Sequence, residues 1–177
     1  MLKSFSDNVI FLDTEFSDLD PTSGELLSLG LVKPSGEELY IEFKYNGVTS
    51  EWVKENVLPL MDGQRTTKEQ AKEEIINFLG ESLPYLVACV SQFDAVYWYK
   101  IFGFEKGQNP AYWFPIDFAA MLFAYGLHPE SYKDPILLKN LGVDLSKYRR
   151  HHALDDARLL RDIYIKFMEN GGAMITD

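Results

Sequence analysis

Three alternating apolar segments joined by short turns open the chain, and they restrict the folds that it can adopt. The alternation predicts strands over residues 8–16, 26–32 and 38–45. Turn-rich residues 18–24 separate the first two strands, and residues 34–36 mark a tight turn before the third. Strands connected this closely pair as an antiparallel meander, because a parallel pair needs a much longer crossover connection.

After the third strand the pattern changes to helices that alternate with short strands. The unbroken apolar run at 85–90 predicts a strand covered on both faces, and 114–117 predicts another short strand. We therefore expect an α/β domain with a mixed sheet, occupying residues 1–177 as a single domain. Helical spacing and capping residues predict six helices. Four have both ends predicted: 50–57, 93–102, 118–125 and 135–141, the last of which is stopped by Gly142. Another begins at Thr66 or Thr67, and the final one runs from Ala153 to a stop at Gly171.

Composition and charge narrow the class of protein. Apolar residues make up 46% of the chain, which is typical of a globular protein, and no stretch approaches the ~18 apolar residues of a membrane span. The N-terminal residues lack the pattern of a secretory signal, and a single cysteine, Cys89, excludes an intrachain disulfide, so we expect a cytoplasmic protein. The net charge of −10 argues against a tight binder of long nucleic acid, but not against an enzyme that holds a few nucleotides at one chain end.

Asp13 and Glu15 lie two residues apart on the first predicted strand and therefore point to the same face, together with Val9 and Phe11. Acids on an inward-facing surface are costly to bury unless they are paired or bind a metal ion. Carboxylate oxygens are the ligands that hard divalent cations prefer, so the pair is a candidate half of a metal site. Taken alone, it is also explained by two solvated acids at an exposed strand end.

Two further acids come later in the chain. Asp94 follows the predicted strand at a strand-to-helix junction, where α/β proteins place ligand-binding groups, although a helix N-terminal acid is the simpler interpretation. Asp156 lies on the apolar stripe of the last helix, whereas Asp155 is expected to face solvent. An acid on a packing face needs a cation, a hydrogen-bond network or a metal ion, unless it leans out at the edge of the core. His151 and His152 immediately precede this helix, and a histidine there is either exposed or placed to accept a proton.

Three segments resemble the exonuclease motifs of the DEDD superfamily: Phe11-Leu12-Asp13-Thr14-Glu15-Phe16, Ser91-Gln92-Phe93-Asp94 and His151-x-Ala153-x-x-Asp156-Ala157. The subclass is the one that uses histidine, related to RNase T, oligoribonuclease and the polymerase proofreading subunit. The resemblance implies an RNase H-like fold and a 3′–5′ exonuclease that releases nucleoside 5′-monophosphates. It also implies that Asp13, Glu15, Asp94 and Asp156 bind two Mg²⁺ or Mn²⁺ ions, with His151 as the general base.

The resemblance leaves the general base and the substrate contacts open. His152 occupies the position at which the tyrosine subclass carries its base, although the spacing to Asp156 favours His151. Thr14 and Phe16 bracket Glu15 and would touch the 3′-terminal nucleotide, or Phe16 packs in the core instead. Arg149 and Arg150 belong to a basic cluster that either contacts phosphate or is an ordinary surface loop. The residues before Asp94 also depart from the family, which often has Asn or Gly there.

The polymer is predicted to be RNA or single-stranded nucleic acid bound at its 3′ end, with RNA favoured because the acidic chain suits a short substrate. Two alternatives are an RNase H-like endonuclease, which needs no histidine at this spacing, and a catalytically silent domain that binds nucleic-acid ends. No membrane association is expected. The aromatic segment 112–125 would suit either a homodimer interface or ordinary core packing.

Overall fold

A six-stranded mixed sheet organises the computed structural model, which describes residues 3–105 and 107–170. The strand order is β4-β3-β2-β1-β5-β6; β1–β2 and β2–β3 pair antiparallel, and the other neighbours pair parallel. The mixed sheet with its N-terminal meander confirms the predicted fold class. The strands are β1 (Val9–Phe16), β2 (Leu26–Val32), β3 (Glu38–Phe43), β4 (Arg65–Thr66), β5 (Tyr85–Ala88) and β6 (Ile116–Asp117).

Six α-helices surround this sheet in the described part of the chain. Ser50 caps α1, and Thr67 forms a capping box with Gln70 at the start of α2, so both predicted start positions agree with the structure. Gly142 ends α5 in the left-handed conformation, as predicted. The helices are α1 (Glu51–Asn56), α2 (Lys68–Leu79), α3 (Gln92–Phe102), α4 (Phe118–Ala124), α5 (Pro135–Leu141) and α6 (Ala153–Asn170), with 3₁₀ turns at Leu58–Leu60, Pro129–Lys133 and Leu145–Lys147.

The alternation of β1 divides the core into two layers. Val9 and Phe11 pack on the α4, α5 and α6 side of the sheet. Ile10 and Leu12 pack on the opposite side, against α2 and α3. Since successive strand residues point to opposite faces, Asp13 and Glu15 continue the face that meets α6.

The differences from the predicted elements are confined to ends and short segments. The third strand stops at Phe43 instead of residue 45, and the fifth stops at Ala88 instead of residue 90. Val90 has a positive φ of 60°, which takes the backbone out of the strand conformation. Strand β4 is too short for its two residues to form a pattern, and Gly171 lies outside the described residues.

The packing of α6 on the sheet depends on one position without a side chain. A Cβ atom added to Gly30 in β2 would lie 2.4 Å from the carbonyl oxygen of Ala153 and 2.5 Å from the Cα of Leu154. The first turn of α6 therefore rests on the backbone of β2. Gly30 is also the cross-strand partner of Asp13, so this contact brings the start of α6 beside the first acid.

None of the helices in the described ranges combines the length and the apolarity that crossing a membrane would require.

Candidate active site

Asp13 and Glu15 lie at the carboxyl end of β1, opposite Gly30 and Ser28 of β2. Strand β5 runs parallel to β1 on its other side, so its carboxyl end opens at the same edge of the sheet. Groups that follow these two strands therefore meet the acids of β1. In the described part of the chain, the acids and the histidine of all three motifs lie at this edge of the sheet.

Asp94 enters from the first turn of α3 and is only 6% exposed. Its Oδ1 accepts a hydrogen bond of 2.7 Å from the hydroxyl of Thr14, which joins the second motif to the first. The turn that leads into α3 is shaped by Asp117, whose carboxylate accepts hydrogen bonds from the backbone N–H groups of Val90 and Ser91. Asp117 thus fixes the direction in which Asp94 leaves the sheet.

Asp156 and His151 are joined by a backbone hydrogen bond. The N–H of His151 donates to Oδ2 of Asp156 over 2.8 Å, and His151 has a positive φ of 65°. The other carboxylate oxygen, Oδ1, lies 3.1 Å from Nε of Arg150, but the angles do not form a hydrogen bond, so both buried atoms lack one within the described protein. One oxygen of Asp156 is therefore left for another ligand.

His152 takes a different position from His151. It is 3% exposed, stacks on the ring of Tyr40 at 4.5 Å and lies with Nε2 3.1 Å from Nη2 of Arg149. His151 instead lines the cavity at the acids and has the ring of Trp52 against it at 4.8 Å. Of the two histidines, His151 is the one that the fold brings to the acids.

Asp155 corrects a sequence expectation. The helical pattern places it toward solvent, yet the structure leaves it only 4% exposed. Its carboxylate accepts hydrogen bonds from Nε of Arg149 at 2.7 Å and from Nη1 of Arg158 at 2.5 Å. Burial opposes its ionisation, but these two guanidinium groups hold the pKa of Asp155 below its ordinary value. The Asp155 carboxylate therefore forms ion pairs with two arginines, whereas the helical pattern predicts that it contacts solvent.

The site is a cavity of about 180 Å³. Glu15, His151 and Asp156 each offer a ligand atom there, and the three atoms lie within 4.8 Å of one another. Asp13 also lines the cavity, whereas Asp94 lies behind Thr14. The remaining lining residues are Thr14, Cys89, Tyr132, Lys133, Arg150, Leu159, Leu160 and Ile163.

Burial and mutual repulsion disfavour the ionised forms of these acids. Burial, followed by the charges of Asp94 and Asp156, raises the pKa of Asp13 well above its ordinary value. The same effects raise the pKa of Glu15 to about 8, and burial raises that of Asp94 to about 7 despite the hydrogen bond from Thr14. Burial also raises the pKa of Asp156, with Arg150 opposing the shift. The four acids outnumber the cations beside them, and a divalent cation would offset this excess of negative charge.

The predicted substrate contacts divide between the cavity and the surrounding structure. Thr14 and Arg150 line the cavity, but the Thr14 hydroxyl is bonded to Asp94. Phe16 stacks on Tyr97 at 4.7 Å and is half-buried in an aromatic cluster. Arg149 is absent from the cavity lining and is bound to Asp155 instead. This ion pair gives Arg149 a structural contact, and its phosphate contact stays a prediction.

Several residues at the site have no counterpart in the sequence predictions. Tyr132 and Lys133 reach the cavity from the 3₁₀ turn before α5, Trp52 contacts His151 from α1, and Asp117 shapes the turn before Asp94. None of them belongs to a periodic or motif pattern. Only the charge of Lys133 and Asp117 and the aromatic character of the others distinguish them in the sequence.

Sequence comparison identifies relatives of low identity. No protein-family model matches the chain. The PolC-type DNA polymerase III of Thermotoga maritima is 27% identical over 179 residues, and so is that of Thermotoga petrophila. Each match covers 90% of this chain but 12% of the relative, so the chain spans only a small part of the length of these proteins.

Three solved structures share the fold at low sequence identity. A 3′-exonuclease that recognises the histone mRNA stem-loop superposes with a TM-score of 0.67 at 15% identity, covering 96% of this chain and 84% of that one. Schizosaccharomyces pombe Pop2p with Mg²⁺ and Mn²⁺ bound gives 0.59 at 15% identity, covering 90% and 82%. The zinc-bound Escherichia coli ExoI–ssDNA complex gives 0.60 at 16%, covering 92% and 40%. These neighbours confirm the resemblance to DEDD-type exonucleases at the level of the fold.

Proposed function

We propose that this chain is a metal-dependent 3′–5′ exonuclease that removes nucleoside 5′-monophosphates from the 3′ end of a nucleic acid. The main support is the convergence of three distant segments, through β1, α3 and α6, on one cavity edge with four acids and one histidine. The neighbouring structures include a 3′-exonuclease of histone mRNA and an ExoI–ssDNA complex, which agree with this activity.

The residues present fit divalent metal ions. Asp156 keeps a buried oxygen without a hydrogen bond, and three potential ligand atoms from Glu15, His151 and Asp156 cluster closely. Asp13, Glu15, Asp94 and Asp156 would hold two ions, and a neighbour is described with Mg²⁺ and Mn²⁺ bound. When bound, such ions lower the pKa of a water molecule and stabilise the leaving oxygen.

His151 is proposed to accept the proton of the attacking water. Burial lowers the pKa of His151, partly opposed by the charge of Asp156, so the imidazole is neutral at pH 7 and free to take up a proton. The hydrogen bond from its own N–H to Asp156 keeps its backbone fixed beside the acids. Thr14 orients Asp94 in the same way, through its hydroxyl.

RNA is the polymer that we favour. The histone mRNA exonuclease supports an RNA substrate, whereas the ExoI complex contains single-stranded DNA. We further propose that residues 1–177 act as one exonuclease domain in the cytoplasm. The comparisons give no support to a homodimer.

The decisive experiment uses 5′-labelled RNA and DNA oligonucleotides of equal sequence with Mn²⁺. Wild-type protein should produce a ladder that shortens from the 3′ end, and Asp156→Ala should abolish it. A matched exposed variant, Glu73→Gln on α2, should leave the ladder unchanged. Cleavage of a circular oligonucleotide would favour an endonuclease, and inactivity on all substrates with both Mg²⁺ and Mn²⁺ would support a silent binding domain.

A further inference from the structure

The wall of the cavity also contains positive charge. Lys133 and Arg150 line it together with the acids, and Tyr132 lies beside Lys133. The whole chain has a net charge of −10, and three of the site acids, Asp13, Glu15 and Asp156, line the same cavity as these two cations. Their placement suggests a ligand that is negatively charged.

Lys133 is the last residue of a turn that is held at both ends. At its start, Nδ1 of His128 accepts a hydrogen bond of 3.2 Å from the N–H of Glu130. Directly after it, Asp134 caps α5 by accepting a bond of 2.8 Å from the N–H of Ile136. Tyr132 packs against the core, and the Nζ of Lys133 lies 5.0 Å from the centre of its ring. The backbone of Lys133 is thus fixed at the rim of the cavity, while its side chain is exposed to an entering ligand.

The two cations differ in what they already bind. Nε of Arg150 lies 3.1 Å from Oδ1 of Asp156, within ion-pair distance. Among residues 3–105 and 107–170, no carboxylate lies within such a distance of Nζ of Lys133. Lys133 nevertheless lines the same cavity as Asp13, Glu15 and Asp156. Its ammonium group is therefore near the acids but not engaged by them.

We propose that Lys133 binds a non-bridging oxygen of the substrate phosphate within this cavity. The inference rests on the proposed function, because it assumes that a phosphodiester enters here. Two divalent ions would offset the charge of four carboxylates. The negative charge of the phosphate would then need a further cation in the lining of the cavity. Lys133 supplies a compact positive charge there. A phosphate contact reads no base, so its effect is the same for every sequence and for RNA and DNA.

The test compares Lys133→Met with Lys139→Met, a control on the exposed face of α5. Titration of adenosine 5′-monophosphate in Mn²⁺ should give a Kd about 10- to 100-fold higher for Lys133→Met, since charge-assisted hydrogen bonds are of this strength. Adenosine, which has no phosphate, should bind both variants and wild type equally. Lys133→Arg should recover part of the affinity, and the thermal midpoints of all variants should agree.

The salt dependence of oligonucleotide binding gives an independent measure. Loss of one phosphate contact should reduce the slope of log K against log salt by about 0.7 for a single strand, and Lys139→Met should keep the wild-type slope. An unchanged Kd for adenosine 5′-monophosphate in Lys133→Met, with the ladder of products intact, would refute the role of Lys133 alone. An equal loss for adenosine would also refute it, because the effect would then be structural. Binding through Lys133 by a protein that shortens neither RNA nor DNA would refute the exonuclease and keep the phosphate site.

Discussion

Replacing Glu15 by glutamine should stabilise the metal-free protein while weakening its response to metal. The carboxyl group of Glu15 has an ordinary pKa of 4.5, which burial and the charges of Asp156 and Asp94 raise to about 8 in the folded protein. Folding at pH 7 therefore requires this group to take up a proton. Glutamine has a similar shape but no charge, so the variant avoids this cost.

The magnitude follows from the linkage between protonation and folding. One pKa unit corresponds to about 1.4 kcal/mol, and at pH 7 the roughly 2.5 units between 4.5 and 7 contribute about 3 kcal/mol as an upper limit. The buried amide retains part of the desolvation cost, so we expect a gain of about 1–3 kcal/mol. At about 2–4 °C per kcal/mol for a chain of this size, the midpoint should rise by roughly 3–10 °C.

The sign of the pH dependence is fixed by the direction of the pKa change. Because the folded-state pKa is the higher one, the penalty is absent below about pH 4.5, grows as the pH rises toward 8, and is constant above that. Thermal unfolding followed by circular dichroism in EDTA at pH 5 and pH 8 measures it. The advantage of Glu15→Gln should be small at pH 5 and large at pH 8.

The matched control and the metal response complete the test. Glu73→Gln, on the exposed surface of α2, should change stability by no more than about 0.5 kcal/mol at either pH. Saturating Mn²⁺ at about 100 times its Kd should stabilise wild type by about 2.7 kcal/mol and the Glu15 variant by much less. Equal midpoints for wild type and Glu15→Gln at pH 8, or a gain that does not depend on pH, would refute the electrostatic argument.

The other predictions concern the residues around the acids. His151→Ala should reduce kcat by about 10²- to 10⁴-fold and leave the thermal midpoint unchanged. His152→Ala should instead lower the thermal midpoint, because it removes the buried ring stacked on Tyr40. Thermal melts and single-turnover assays of both variants test this, and the opposite pattern would assign the base to His152. Trp52→Ala should lower kcat and shift the pH profile of kcat, because His151 loses its aromatic neighbour. Trp52→Phe should restore both, and a change in KM alone would contradict this role. Asp155→Asn should cost about 1–3 kcal/mol in urea unfolding, because it weakens two charge-assisted hydrogen bonds to a buried carboxylate while both guanidinium groups remain partly exposed to water. A loss below about 0.5 kcal/mol would show that solvent replaces the carboxylate.

Local patterns predicted the features that depend on neighbouring residues in the sequence. The alternation of β1 places Asp13 and Glu15 on one face, and Gly142 ends its helix because a left-handed residue is needed there. The solvent-facing position that helical periodicity predicts for Asp155 is wrong, because periodicity describes one helix, whereas the burial of Asp155 depends on Arg149 in the preceding loop and on Arg158 one turn later.

Lys133 and Trp52 could not be assigned to the site in this way. Lys133 reaches the cavity only because a turn of five residues and the start of α5 direct it there, and a turn has no period to detect. Trp52 meets His151 across about a hundred residues of chain through the folding of α1 onto the end of the sheet. Their positions depend on tertiary contacts, and the sequence shows only their chemical type.

Gly30 sets the distance between the acids on the sheet and the site residues at the start of α6, because it has no side chain. An alanine there would have to push the start of α6 outward by about 1 Å to relieve contacts of 2.4–2.5 Å with Ala153 and Leu154. Asp156 and His151 would move with the helix, while Asp13 would stay on the sheet. Since a misplacement of about 1 Å can reduce catalysis by about 10²-fold, this position acts as a spacer of fixed thickness. An engineer who wished to widen the site for a larger ion could therefore begin with a methyl group on β2, without changing any acid.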